Sequence, residues 1–167
     1  MVTSAPEITI RRGDPKDLQA IGRLGALLVW LHHDLDPKRF IPATPYTEKA
    51  YGEFLVSQLE EPNVIILVAD RGGEVIGYSY AGVEGRDYMS LRGPAGVLYD
   101  IVVDPAHRGQ GVGRTLLDAT LAELKTRGVR QFVLSTAERN EAAQRLFTRD
   151  GFRRTMIEMT RELPGSD

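Results

Sequence analysis

Apolar residues recur at spacings of three and four from Leu18 through Ile21, Leu24 and Leu28 to Leu31, the pattern of a helix that buries one stripe. Asp14-Pro15 supplies an N-cap and a proline at the first helical position, and the pattern stops near Asp36-Pro37. Ahead of it, Ile8-Thr-Ile10 alternates as a strand does. Residues 36–46 hold Pro37, Pro42 and Pro45, which predict a loop leading to a second helix over Thr47–Leu59. Val64–Ala69 and Glu74–Ala81 flank Asp70-Arg-Gly-Gly73 and read as a β-hairpin. A polar, Gly-rich stretch over 82–96 gives way to the strand Val97-Leu-Tyr-Asp-Ile-Val-Val103, stopped by Asp104-Pro105. Val112, Leu116, Leu117, Leu121 and Leu124 share one side of a helix over 111–127, with Gly128 at its C′ position. Gln131–Ser135 reads as a strand, Asn140–Arg149 as a helix ended by Asp150-Gly151, and Phe152–Leu163 as a last extended segment.

Helices interleaved with strands, one hairpin among them, predict an α/β fold in which helices cover both faces of a mixed sheet. The 167 residues show no repeat, linker or low-complexity tract and read as a single domain over 1–167. Composition narrows the function by exclusion. With 21 Lys and Arg against 23 Asp and Glu, the formal charge of -2 offers no field for nucleic acid or acidic lipid. The absence of cysteine removes disulfides, thiolate nucleophiles and Cys-ligated zinc, and no His spacing supports a metal site. The opening residues MVTSAPEITIRRGD lack the roughly 7 to 15 apolar residues of a signal peptide, and no run approaches the roughly 20 of a membrane span. The expected location is the cytoplasm.

The densest chemistry lies in Arg108-Gly109-Gln110-Gly111-Val112-Gly113, between a strand and the start of a helix. Unpaired N–H groups and the helix dipole point outward there, and alternate glycines leave no Cβ in the way of a pyrophosphate. Arg108 and Arg114 add positive charge. The dinucleotide fingerprint needs a glycine where this chain has Arg114, and the nucleotide P-loop needs a Gly-Lys-Ser/Thr ending that is absent.

Val103-Asp-Pro-Ala-His-Arg108-Gly-Gln-Gly111-Val-Gly113 resembles the acyl-CoA motif of the GNAT acyltransferase superfamily. Asn140-x-x-Ala143-x-x-Leu146-Phe147-x-x-x-Gly151-Phe152 resembles a second segment of the same superfamily, and together the two cover about residues 97–153. The resemblance implies a mostly antiparallel central sheet of about six to seven strands flanked by helices, its fourth and fifth strands splayed around the pantetheine arm. It further implies acetyl-CoA as acyl donor, with the backbone of Ile101, Val102 and Val103 and the side chain of Asn140 against pantetheine. Residues Arg108 to Arg114, including Val112, would hold the pyrophosphate. Asn140 before a helix also suits a plain N-cap role.

Acylating an amine requires loss of a proton from nitrogen, stabilisation of an oxyanion and release of a thiolate. Asp100 interrupts an apolar strand at the expected gap, where a carboxylate is costly unless used or paired. It is the candidate base or ammonium anchor; the bland alternative is pairing with an arginine. By resemblance Val103 N–H meets the oxyanion. The superfamily often places a tyrosine, the general acid, where this chain has Phe147; here either a thiol of pKa about 8.5 leaves as thiolate unaided, or Tyr78, Tyr80, Tyr99 or Ser135 serves instead. His32-His33-Asp34 reads as a helix end at the substrate mouth, His107 as solvated and Trp30 as core.

The function expected is an N-acetyltransferase acting on a small-molecule or peptide amine. An acyl-CoA-binding sensor that has lost catalysis is the rival that Phe147 suggests, and another anion or nucleotide binder is a third. A homodimer fits the fold class, since the last strand and the 82–96 loop offer surfaces that can pair across an axis.

Overall fold

A computed structural model describes residues 7–165; Met1–Pro6, the first part of the opening stretch read for a signal peptide, lie outside it, as do Ser166 and Asp167. β1 (Ile8–Arg12) runs into a single 3-10 turn at Pro15–Asp17, which Asp14 caps by accepting from Lys16 N–H while Asp17 accepts from Asp14 N–H. α1 (Leu18–Leu35), α2 (Thr47–Ser57), the hairpin β2 (Val64–Arg71) and β3 (Glu74–Glu84), β4 (Ala95–Val103), α3 (Val112–Thr126), β5 (Phe132–Leu134) and α4 (Glu141–Arg149) follow. The sheet order is β1-β2-β3-β4-β5, antiparallel throughout except for the parallel pair β4–β5.

Each face of the sheet carries its own core. Ile65, Leu67 and Ala69 of β2 pack with Leu116, Leu117 and Leu124 of α3 and Phe147 of α4. Ile66 and Val68 pack with Ile21, Leu24 and Leu55 of α1 and α2. Strict alternation with both sides apolar explains why β2 reads as a continuous hydrophobic run. Trp30, expected in the core, is 59% exposed because it falls off the Ile21–Leu24–Leu28 stripe.

The α1–α2 contact depends on glycine. A Cβ on Gly22 would lie 2.3 Å from Glu48 O, and one on Gly25 would lie 2.2 Å from the Tyr51 ring. A clash with backbone cannot be relieved by a rotamer, so Gly22→Ala is expected to cost about 2 kcal/mol net of helix propensity. The Tm should fall by roughly 4 to 8 °C, measurable by calorimetry.

The five strands correct the expected six to seven. Residues 153–163 belong to no strand, although their sequence suits one, because nothing among the described residues pairs with them. The β4–β5 pairing covers only Gly96–Leu98 against Phe132–Leu134, leaving Tyr99–Val103 without a partner on that side.

Candidate active site

Register decides which atoms reach the gap between β4 and β5. Tyr80 pairs with Asp100 but the next residue, Ala81, pairs with Leu98, so Tyr99 is the extra residue of a β-bulge. In an unbroken strand Leu98, Asp100 and Val102 would share a face. Here Leu98 faces α3 while Val102 faces α1 and α2, and the bulge sends Asp100 with Val102.

On that face the Asp100 carboxylate meets tyrosines rather than an arginine. Its Oδ2 accepts from Tyr51 hydroxyl at 2.5 Å and from Tyr78 hydroxyl at 3.0 Å. Burial pushes the Asp100 pKa up; the two tyrosine bonds and the charge of His32 oppose it without cancelling it. Desolvation and the neighbouring carboxylate raise both tyrosines, so their hydroxyls stay protonated and act as donors. Tyr51 reaches across because Gly25 leaves room for its ring. Sequence reasoning missed Tyr51, whose partner is 49 residues away.

Asp100 opens onto a cavity of about 260 Å³. Leu28, His32 and Phe40 wall it on the α1 side, Leu98–Ile101 along β4, and Ser135, Thr136, Asn140 and Phe147 on the far side of the gap. His32 Nδ1 lies 2.8 Å from Leu28 O and His33 Nδ1 lies 2.8 Å from Phe40 O. A carbonyl only accepts, so both Nδ1 atoms carry hydrogen. His33 thus ties the end of α1 to the following loop, while His32 bonds within α1 and lines the cavity.

Phe147 is 6% exposed and stacks edge-on against Phe152, with ring centroids 5.8 Å apart; it offers no proton. Of the hydroxyls named in its place, Tyr78 donates to Asp100, Tyr80 to Gln58 and Tyr99 to Glu84. Ser135 and its neighbour Thr136 line the cavity with no side-chain partner among the described residues.

Backbone direction completes the gap. Asp104 N–H donates to Ile76 O in β3, and Val103 O instead accepts from Arg108 Nε at 3.2 Å. Alternation along the strand therefore turns the polar groups of Ile101 and Val103 to the gap and those of Val102 to β3. Val103 lies beyond the cavity wall, towards Arg108.

Beyond β4, Pro105–His107 forms a 3-10 turn and the chain enters α3 through Gly109 (φ 73°) and Gly111 (φ 81°). Left-handed values there explain why glycine occupies both positions. The N–H groups of residues 109–114 have no backbone acceptor among the described residues. A Cβ on Gly109 or Gly111 would meet nothing within 4 Å, so the space above the turn is open. Arg71 Nη1 braces the turn, donating to Gln110 Oε1 at 2.9 Å and to His107 Nδ1 at 3.1 Å. His107 is therefore paired rather than solvated. Arg108 and Arg114 flank the turn, and Arg114 is exposed, 3.8 Å from Asp118. Val112 anchors the helix in the core at 1% exposure. Asn140 Oδ1 caps α4 by accepting from Ala143 N–H at 3.2 Å, and the residue also lines the cavity. No cluster of three His, Asp or Glu suited to a metal occurs among the described residues. No helix among them is long and apolar enough to cross a membrane.

The site thus brings together a parted pair of strands, an open glycine turn and a carboxylate beside a cavity. The profile of the Acetyltransferase (GNAT) family matches residues 28–152, and the chain belongs to that family. A mycothiol acetyltransferase of Thermobispora bispora is 40% identical over 96 residues, 55% of this chain and 31% of that protein. One from Amycolatopsis mediterranei is 39% identical over 88 residues, 52% of this chain and 29% of that protein. The match thus spans under a third of the length of these curated relatives. Among solved structures, a Bacillus halodurans protein superposes with a TM-score of 0.81 at 20% identity, covering 93% of this chain and 99% of its own. An aminoglycoside N-acetyltransferase in complex with CoA superposes at 0.71 and 21% identity, covering 98% and 99%. These likenesses establish the fold.

Proposed function

We propose that the protein transfers an acetyl group from acetyl-CoA to a primary amine of a small molecule or peptide by direct attack. The carrying observation is the continuity of the site: the open turn at 109–114 leads along the free backbone of Val103 and Ile101 to a cavity that holds the Asp100 carboxylate. The turn and its flanking Arg108 and Arg114 receive the pyrophosphate. Ile101 and Val103 pair with the pantetheine amides, and Asn140 approaches the arm from the other side of the gap.

Asp100 attracts the substrate ammonium and takes or relays its proton, leaving a neutral nitrogen to attack the thioester carbon. Ile101 N–H, adjacent to Asp100 and turned to the gap, meets the oxyanion; Val103 N–H, the donor suggested by sequence, serves the arm nearer the turn. On collapse the C–S bond breaks. A thiol of ordinary pKa about 8.5 leaves tolerably as thiolate, and Ser135 or Thr136 can hydrogen-bond it where Phe147 cannot. An enzyme is favoured over a degenerate sensor because the cavity keeps both a half-buried carboxylate and room for an acceptor beside it.

Calorimetry with acetyl-CoA, CoA and NAD, followed by thiol release with a panel of amines, tests this reading. Spermidine, kanamycin and short peptides sample the acceptor classes. Binding of both CoA forms but not NAD, with thiol released by at least one amine, is the expected result. Tight CoA binding with no release from any amine would establish the sensor instead.

A further inference from the structure

We infer that the cavity takes, as acceptor, a small primary amine with a single positive charge and an apolar remainder, in preference to a polyamine, an aminoglycoside or an amino acid. The inference deepens the acetyl-transfer reading and rests on it for the chemistry alone, because binding of the amine can be followed without transfer.

The cavity divides at Asp100. On the far side of the gap Ser135, Thr136 and Asn140 supply polar groups, and that is the side assigned to the pantetheine arm and its sulfur. On the near side α1 and the loop after it contribute Leu28, Val29, Phe40 and Ile41, whose side chains carry no polar atom. Among the described residues no Lys or Arg lines the cavity, and Asp100 is its one carboxylate. His32 is the remaining titratable group of the wall; its Nδ1 bonds Leu28 O, and its charge acts on Asp100. A substrate carboxylate placed beside His32 would therefore also face the Asp100 carboxylate.

Asp100 offers one seat. Both tyrosine hydroxyls bond Oδ2, and Oδ1 has no partner among the described residues. One ammonium thus finds one free carboxylate oxygen. A second ammonium, or a carboxylate, on the same molecule finds no counter-charge on the apolar wall, where an unpaired charge is costly. Two carboxylates just outside are matched already: Glu84 is bonded by Tyr99 and Arg92, and Glu158 by Arg39.

The apolar wall is held in place. Phe40 meets the His32 ring edge-on at 4.9 Å, the Arg39 guanidinium lies 4.9 Å from the Phe40 ring centroid, and Phe40 O accepts from His33 Nδ1. Beside it Ile41 is 74% exposed. At the rim of a cavity that exposure gives surface for an apolar ligand to cover.

Hexylamine, 1,6-diaminohexane and 6-aminohexanoate carry a methyl, an ammonium and a carboxylate at the far end of the same chain. With acetyl-CoA as donor, kcat/KM for hexylamine should exceed that for the other two by about tenfold or more. From propylamine to hexylamine it should rise by up to about fourfold per methylene, the factor that burial of one methylene supplies. Ile41→Asp, at an exposed position, should place the diamine above hexylamine while calorimetry returns the parent affinity for acetyl-CoA. Saturation-transfer NMR of the CoA-loaded protein should give the same ranking with no turnover. Hexylamine ranked first by NMR, with thiol released by no amine, would support the inference while removing acetyl transfer. A diamine or aminohexanoate equal to hexylamine, a flat methylene series, or an Ile41→Asp variant that keeps the parent order would each overturn it. So would faster release with spermidine, kanamycin or a short peptide than with hexylamine.

Discussion

Asp100→Asn is expected to lower kcat for amine acetylation by about 10²- to 10⁴-fold, the range in which positioned bases act, while raising the Tm at neutral pH. Both effects come from one half-buried carboxylate whose partners among the described residues are two tyrosine hydroxyls. Burial raises its pKa and those bonds reverse this only in part. In the unfolded chain the same group titrates at its ordinary value, so the folded state binds its proton more tightly. Its favourable contribution is complete below the unfolded pKa and is lost as pH rises through the folded pKa. At pH 7 the parent thus carries a charge penalty that the amide lacks, and the asparagine oxygen still accepts from both hydroxyls. Melts should place the variant above the parent at pH 7, with the gap closing below the ordinary carboxylate range. Parent-like kcat across pH would remove Asp100 from the mechanism, and a lower Tm at pH 7 would contradict the electrostatic account. Tyr51→Phe acts on the same group with a definite sign: losing the 2.5 Å bond removes stabilisation of the anion, so the acid limb of kcat/KM moves to higher pH.

How much of this was legible in the sequence depends on the range of the physics involved. α3 was readable nearly to the residue, because a 3.6-residue stripe and a left-handed Gly128 (φ 80°) are local signals. The turn at 108–114 was readable for the same reason, Gly109 and Gly111 being fixed by left-handed backbone conformation rather than by distant contacts. Asp100 was singled out because a carboxylate in an apolar strand is costly, but its partners were not foreseeable. They depend on Gly25 admitting the Tyr51 ring and on the bulge at Tyr99, and the run Val97–Val103 carries no local mark of a bulge. Trp30 failed as a core residue because apolarity alone does not give its angle around α1. Residues 153–163 suit an extended segment, yet a strand exists only where an edge receives it, and among the described residues none does.

Gly111→Ala is expected to weaken acetyl-CoA binding at least tenfold, a change of about 1.4 kcal/mol, in a chain that still folds. At φ 81° a side chain costs about 1 to 2 kcal/mol of backbone strain, but its Cβ would meet no protein atom within 4 Å. Any larger effect on the nucleotide would then come from the methyl standing where the proposed site takes the pyrophosphate. Gly73→Ala supplies the control: φ is 92°, the surrounding space is equally open, and the residue sits in the β2–β3 turn instead of the turn at 109–114. The two variants should lose comparable stability in denaturant melts, while calorimetry with acetyl-CoA separates them. Gly113→Ala refines the map, because its Cβ would make ordinary contacts at 3.6 Å to Val103 and 3.7 Å to Leu146, within α3 where alanine is favoured. That variant should be at least as stable as the parent, so weaker binding there reports the ligand alone. Equal acetyl-CoA affinity in all three variants and the parent would place the pyrophosphate elsewhere and leave the turn a purely structural entry into α3.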